Sequence, residues 1–318
     1  GRLATLQQIA IIAGIFAAFL SNWLLAKTAG ASTQPLWLGA AAWRWMFWMQ
    51  ALPSLLFFVL LLPIPESPRH LVATMRADAA RRVLESLQGA DAAVRKIAEI
   101  ETSLAGETAH PRLADLVSAS TRRVRPIVWI GIGLATFQQL VGINVVFYYG
   151  AVLWQAVGFS ENDALRINVL SGGVSIGACL LTIALIDRIG RKPLLMIGSI
   201  GMSISLALVA CAFATASFDA AGTLALSSSA GRVALVAANV YVVFFNLSWG
   251  PVMWVMLGEM FPNRIRGSAL SVAGAAQWLS NFAITVTFPV LLAGIGLAGA
   301  YAFYTLAAIA SAVFVARC

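Results

Sequence analysis

Three amide side chains fall within one short apolar stretch, FQQLVGINVVFYYG at 137–150: Gln138, Gln139 and Asn144. An amide carries both a donor and an acceptor, so it can match a hydroxyl group, which is also both. A single amide in a membrane helix contributes about 0.6 kcal/mol to helix packing, whereas a cluster favours a binding role. The pattern therefore predicts a site for a ligand rich in hydroxyl groups.

An ideal helix would not aim these amides at one point, because Gln138 shares a face with Gly142 while Asn144 lies on another. Local unwinding at Gly142 would bring them together, as broken helices do at the binding sites of transporters. Gln277 and Asn281 stand four residues apart and share a helix face, which offers the cluster partners of the same chemistry.

A second bend is expected in YVVFFNLSWGPVMW at 241–254, where Pro251 removes a donor and frees the carbonyl four residues earlier. Asn246, Gly250 and Trp254 lie along one stripe of that segment. The aromatic rings of Phe245, Trp254 and Trp278 could offer flat apolar faces to the C–H groups of a sugar.

The elements that carry these groups are membrane helices. Of the 318 residues, 60% are hydrophobic and 11% are charged, and the mean hydropathy is +0.85, which excludes an ordinary soluble domain. Eight segments are long and apolar enough to cross a hydrocarbon core of about 30 Å. They are residues 3–26, 43–62, 127–153, 165–186, 193–215, 232–258, 267–292 and 298–316.

Apart from Arg44, Arg166 and Arg232 in the first two residues of their spans, no Asp, Glu, Lys, Arg or His lies inside these spans, so the cavity suits a neutral solute rather than an ion. The three cysteines show no metal or disulfide spacing, and we expect no metal site and no cofactor.

The distribution of positive charge predicts the topology. If residues 63–126 are cytoplasmic, 17 of the 21 Lys and Arg residues lie on the inside, which places both chain ends there. Acidic residues nearly balance the loop, which argues against nucleic-acid binding. Within the loop we expect short amphipathic helices with Ser67, Asp78 and Asp91 as N-caps.

Two apparent enzyme motifs have simpler explanations. GGVSIG at 172–177 contains G-x-S-x-G, but a nucleophile of this kind needs a strand before it and a histidine nearby. The two histidines, His70 and His110, belong to the loop. We therefore expect a helix-packing face formed by Gly173 and Gly177 instead. GIGLAG at 294–299 matches G-x-G-x-x-G without a βαβ context, and is interpreted as a turn between spans. We therefore predict that the protein is not an enzyme.

Four motifs make the chain resemble the sugar porter family of the major facilitator superfamily, most closely its bacterial proton-coupled pentose and hexose transporters. They are PESPR at 65–69, QQLVGIN with YY at 138–149, DRIGRK at 187–192, and GPVMWVMLGEMFPNRIRG at 250–267. The resemblance runs through the whole sequence and implies an all-α fold of twelve spans, of which eight are present. It implies that residues 1–64 hold the last two spans of the first six-helix half, 65–125 a cytoplasmic linker, and 126–318 the second half.

The resemblance also implies roles for particular residues. Those expected to contact the sugar are Gln8, Gln138, Gln139, Asn144, Phe245, Gly250, Trp254, Gln277, Trp278 and Asn281. Those expected to form salt bridges between the halves, closing the cytoplasmic side, are Glu66, Arg69, Asp187, Arg191, Glu259 and Arg266. Ser175 stands where the family often has a further sugar-contacting Asn.

The resemblance leaves the coupling ion open. The acid that couples sugar to protons would lie in the first four spans, which this sequence lacks. The motif at 187–192 also departs from the family, with Ile183 in place of a glycine. We expect a sugar/proton symporter in the bacterial inner membrane without an obligate protein partner; a facilitative uniporter and a non-transporting sugar sensor are the alternatives.

Overall fold

The computed structural model describes residues 2–106, 113–118, 122–156, 158–218 and 224–318; His110 falls outside them. These residues fold into helices, apart from a pair of two-residue antiparallel strands, β1 (Ser217–Phe218) and β2 (Leu224–Ala225). The chain divides into two compact units, one of Gly1–Met46 with Leu116–Cys318 and one of Phe47–Asp115.

The larger unit contains the long apolar helices. They are α1 (Arg2–Ala29), the start of α2 (Ala42–Trp48), α7 (Pro126–Leu140), α8 (Ile143–Ala156), α9 (Glu161–Ile189), α10 (Arg191–Ala214), α11 (Ser228–Leu247), α12 (Trp249–Met260) and α13 (Asn263–Arg317). The smaller unit contains α3 (Ala51–Leu61), α4 (Pro68–Ala73), α5 (Ala77–Gln88) and α6 (Ala90–Gly106). Single turns of 3₁₀ helix lie at Trp37–Gly39 and Leu113–Leu116.

All eight predicted spans fall on these helices. Within the described residues, seven helical segments are long and apolar enough to cross a membrane. The last of them, α13, has 55 residues, which would extend about 80 Å if straight, far more than one crossing. Gly296 has non-helical backbone angles, φ 70° and ψ 179°, and divides α13 where the span-connecting turn was predicted.

The second half of the sequence forms one buried core. Its largest fully buried side chains include Trp249, Tyr241, Tyr304, Phe261 and Phe288. By contrast, α3 has no buried residue, as expected of a helix whose side chains face lipid or another span.

Helix α1 packs on α9 at a glycine adjacent to the predicted pair. A Cβ at Gly172 would stand 3.2 Å from Phe16 Cα, whereas a Cβ at Gly177 would meet nothing within 4 Å. The expected Gly173–Gly177 face is present only in part: a Cβ at Gly173 would lie 3.7 Å from Phe16 Cε2, but the closest approach is at Gly172 and Gly177 takes no part in it.

The short helices of the smaller unit agree with the predicted amphipathic pattern. Leu71, Val72 and Ala80 form their small core. Ser67 is the N-cap of α4, but Asp78 and Asp91 lie in the first turns of α5 and α6 rather than at the caps. An acidic side chain in a first turn interacts favourably with the helix dipole, which explains the sequence pattern equally well.

Candidate functional site

The predicted break at Gly142 is present and brings the three amides together. Gly142 has φ +85°, a left-handed conformation that glycine adopts without strain, and it separates α7 from α8. Across this break Asn144 Nδ2 donates to Gln139 Oε1, and Gln139 Nε2 donates to Gln138 Oε1 at 3.0 Å. The three side chains thus form a continuous amide chain.

Gln277 of α13 extends this chain from another helix. Its Nε2 donates to Gln138 Oε1 at 2.9 Å, and Gln138 Nε2 is 3.4 Å from the carbonyl oxygen of Trp249. Gln138, Gln139 and Gln277 are all buried. The buried Gln277 Oε1 has no partner among the described residues, so the chain ends in an unpaired acceptor. An unpaired buried acceptor is costly, and a ligand hydroxyl would relieve that cost.

The second predicted break also occurs. Ser248, with φ −131° and ψ −87°, separates α11 from α12 three residues before Pro251. The carbonyl of Leu247, four residues before Pro251, accepts a hydrogen bond from Thr182 Oγ1 at 2.9 Å. The same Oγ1 is also 3.0 Å from the Ala178 carbonyl and 3.1 Å from the Asn246 carbonyl, so these three carbonyls share one proton, with Leu247 at the shortest distance. A hydroxyl on α9 thereby stands in for the helical donor that proline lacks.

Gly250 lies beside this second break and near other predicted contact residues. A Cβ at Gly250 would stand 3.4 Å from Phe245 Cε1 and 3.6 Å from Gln8 Nε2. The structure thus brings the α1 amide, the buried Phe245 ring and the glycine backbone together.

The remaining predicted contacts are more open. Trp254 and Trp278 are 38% and 66% exposed, so their rings present free apolar surface. Asn281 is half-buried, and its Oδ1 accepts from Thr285 Oγ1 at 3.2 Å. No hydrogen bond described for these residues joins them to the amide chain.

Asn246, which shares a sequence stripe with Gly250 and Trp254, lies beside Gly250, with its Oδ1 3.6 Å from a Cβ placed there, but its amide nitrogen has other partners. It is fully buried, and its Nδ2 donates to Ser175 Oγ at 3.1 Å and to the Val242 carbonyl at 2.9 Å. Ser175 is thus a packing partner of Asn246 in this structure.

Sequence reasoning missed several buried hydroxyl and indole groups around the breaks. Trp249 Nε1 donates to Ser199 Oγ at 2.9 Å, and Ser311 Oγ lies 2.9 Å from the same oxygen. Tyr241 Oη donates to the Val141 carbonyl at 2.8 Å. Polar residues inside apolar spans were the available signal, but their partners lie on distant segments of the chain.

Charged residues predicted as gate elements cluster where α9, α10 and α12 meet. Arg191 makes a bidentate pair with Glu259, with Nε and Nη2 each 2.9 Å from a carboxylate oxygen, and its Nη1 is 3.1 Å from Asp187 Oδ1. Arg266 Nε donates to the Phe261 carbonyl at 3.2 Å. These contacts join helices of the second half; the role in closing the two halves stays a prediction.

The other two predicted gate residues lie in the smaller unit. Glu66 pairs with Arg76 at 3.4 Å, and both side chains are more than half exposed. Arg69 lies in α4, next to the N-terminal Pro68.

Comparison with known proteins agrees with this architecture. The model of the family described as "Sugar (and other) transporter" matches residues 1–318. A glucose transport protein of Synechocystis sp. is 50% identical over 99% of this chain and 67% of its own length. The D-xylose-proton symporter of Escherichia coli is 37% identical over 92% of this chain and 55% of its own length.

Solved structures give the same result. The partially occluded, inward-open xylose transporter XylE from E. coli superposes with a TM-score of 0.79 at 34% identity, covering 98% of this chain and 62% of XylE. The chain thus spans about two thirds or less of the relatives it matches. With seven helical segments among the described residues that are apolar enough to cross a membrane, paired helix breaks and a full-length match to the family model, this multi-pass membrane protein belongs to the sugar transporter family of the major facilitator superfamily.

Proposed function

We propose that the protein carries a neutral monosaccharide or related polyol across the membrane by alternating access. The observation that carries this proposal is the amide chain from Asn144 to Gln277, which ends in a buried acceptor, Gln277 Oε1, that has no partner among the described residues. A hydroxyl group can donate to that oxygen while its own oxygen accepts from a neighbouring amide. The exposed rings of Trp254 and Trp278 add apolar surface suited to the sugar's C–H groups.

The proposed substrate contacts are the ten residues expected from the family resemblance, with the amide chain at their centre. Gln8 and Gly250 lie together at the second break, so α1 and α12 would both contribute to the same region. Residues 1–64 would supply the last spans of the first half, residues 65–125 the linker, and residues 126–318 the second half. Rocking of the halves would expose the site to each side in turn.

The proposed coupling is sugar/proton symport. Relatedness to a D-xylose-proton symporter supports it, and a facilitative uniporter is the alternative. The interiors of the eight spans hold amides and hydroxyls but no carboxylate, so these residues would bind sugar rather than the proton. The positive-charge distribution supports cytoplasmic positions for Arg2 and Arg317 in a bacterial inner membrane.

Counterflow in proteoliposomes tests the proposal. Proteoliposomes containing protein expressed from its complete native gene would be loaded with one unlabelled monosaccharide at a time from a panel. Uptake of the matching labelled sugar would then be measured. Counterflow reports exchange by coupled and uncoupled carriers alike. Exchange of one sugar or a related group is the expected result; a folded protein that binds sugar without exchanging it would instead be a sensor.

Gln138→Ala provides the site-specific variant. Gln138 pairs with Gln139, Gln277 and the Trp249 carbonyl, so its removal leaves several polar groups without partners and the site without its central acceptor. We expect the sugar Kd to rise at least about ten-fold, or about 1.4 kcal/mol. Gln155→Ala is the matched control, because that exposed amide bonds only to its own helix, at the Ala151 carbonyl. Equal binding by the two variants would contradict the assigned role.

A further inference from the structure

Two buried tyrosines hold the backbone at the break between α7 and α8. In an unbroken helix the Val141 carbonyl would accept from the amide of Val145, but that amide is 3.1 Å from the Gly142 carbonyl instead. Tyr241 Oη, from α11, donates to the Val141 carbonyl at 2.8 Å. The Tyr241 side chain is fully buried, so no solvent competes for this bond.

Tyr304 of α13 contacts the same break from another helix. A Cβ at Gly142 would stand 2.8 Å from Tyr304 Cγ and 3.0 Å from both Cδ atoms. The ring thus occupies the space into which any other residue at 142 would project. Tyr304 is buried, and its hydroxyl has no partner among the described residues, so the contact is made by the ring face.

We propose that Tyr241 and Tyr304 are positioning residues of the sugar site, which act through the backbone at Val141 and Gly142 and do not touch the sugar. This inference rests on the proposed function. The chain of amides crosses the break, since Gln139 precedes it and Asn144 follows it. A change in the backbone at 141–142 therefore changes the distance between the amides on either side.

The two tyrosines contribute in different ways, and this difference makes the proposal testable. The Tyr241 hydroxyl satisfies a carbonyl that the break has released, and a phenylalanine ring would fill the same volume without that bond. The Tyr304 hydroxyl is unpaired, so only its ring matters. Tyr241→Phe should therefore disturb the site, whereas Tyr304→Phe should not and Tyr304→Leu should.

The test combines amide hydrogen exchange at residues 141–146 with calorimetric titration of the sugar identified by counterflow, using protein from the complete native gene. For Tyr241→Phe we expect about five- to ten-fold faster exchange at the break and a similar rise in Kd, the scale of one buried hydrogen bond. Tyr301→Phe is the matched control, because Tyr301 is also a buried tyrosine and phenylalanine keeps its ring contacts with Phe213 and Tyr304. Unchanged exchange in Tyr241→Phe relative to this control would overturn the proposal.

A double variant separates positioning from general stability. If Tyr241 acts by aligning Asn144 with Gln139, then Tyr241→Phe should cost little further affinity in an Asn144→Ala background. Additive losses would mean that Tyr241 only stabilises the fold. If the wild-type protein binds no sugar, the proposed function fails, while exchange at the break still decides whether the two tyrosines hold it.

Discussion

Replacing Gly198 by alanine should destabilise the protein even though alanine is the better helix former. Gly198 lies in α10 against the second break, and a Cβ there would overlap both Oγ and Cβ of Ser248 and stand 3.2 Å from the Phe244 carbonyl oxygen. Ser248 cannot simply rotate away, because its Oγ bonds that carbonyl at 2.6 Å and its Cβ is also in conflict. The backbone of α10 or of the break must move instead.

The magnitude follows from two opposing effects. Overpacking in a close-packed core costs about 1–3 kcal/mol, and a backbone conflict belongs at the upper end of that range. Alanine recovers about 0.5–1 kcal/mol of helix propensity over glycine. The expected net loss for Gly198→Ala is therefore about 2 kcal/mol. Gly177→Ala in α9 is the control, since a Cβ there meets nothing within 4 Å and should raise stability by about 0.5–1 kcal/mol.

Equilibrium unfolding in mixed micelles, with increasing dodecyl sulfate followed by circular dichroism, would measure both free energies of unfolding. The two variants should shift the midpoint in opposite directions. A Gly198→Ala protein as stable as the wild type would show that α10 can withdraw from Ser248 without cost, and the close packing at the second break would lose its assigned role.

Two further variants address the gate and the second break. Glu259→Gln removes the charge that pairs with Arg191. It should slow sugar exchange while leaving the sugar Kd within about two-fold, because an exposed ion pair contributes only about 0–1 kcal/mol to stability. Counterflow measures the exchange rate and calorimetry the Kd on one preparation, and equal loss of exchange and binding would place Glu259 at the sugar. Thr182→Val should lower the free energy of unfolding by about 1–3 kcal/mol, because the Leu247 carbonyl loses its donor. Thr287→Val, whose hydroxyl bonds only within its own helix, should be nearly neutral in the same unfolding titration.

Local chemistry made both helix breaks predictable from the sequence. Gly142 stands among amides that an ideal helix would separate, and Pro251 necessarily frees a carbonyl; both are properties of a few adjacent residues. Apolar length located the spans, and the GIGLAG motif predicted the turn that divides α13 at Gly296. These features depend on the chain within one or two turns, which is the distance over which sequence patterns are informative.

Features that depend on which helices are neighbours could not be predicted. Nothing in the sequence pairs Thr182 with the Leu247 carbonyl or Tyr241 with the Val141 carbonyl, because each contact joins segments more than 60 residues apart. The shared stripe of Asn246 and Gly250 correctly suggested one common face, since Asn246 Oδ1 lies 3.6 Å from a Cβ placed at Gly250, but the sequence did not show that Asn246 Nδ2 donates to Ser175 on α9. Such choices are decided by packing between helices, where partners compete for the same polar group.

The two breaks follow the same physical logic, and the amide chain connects them. In a membrane each released backbone carbonyl must find a donor within the protein. At the first break the donor is Tyr241 and at the second it is Thr182, each a hydroxyl from a neighbouring helix. Gln138, just before the first break, also approaches the carbonyl of Trp249, just after the second. Because one amide contacts the backbone of the second break and the side chains that cross the first, a displacement at either break must alter the geometry offered to a sugar hydroxyl.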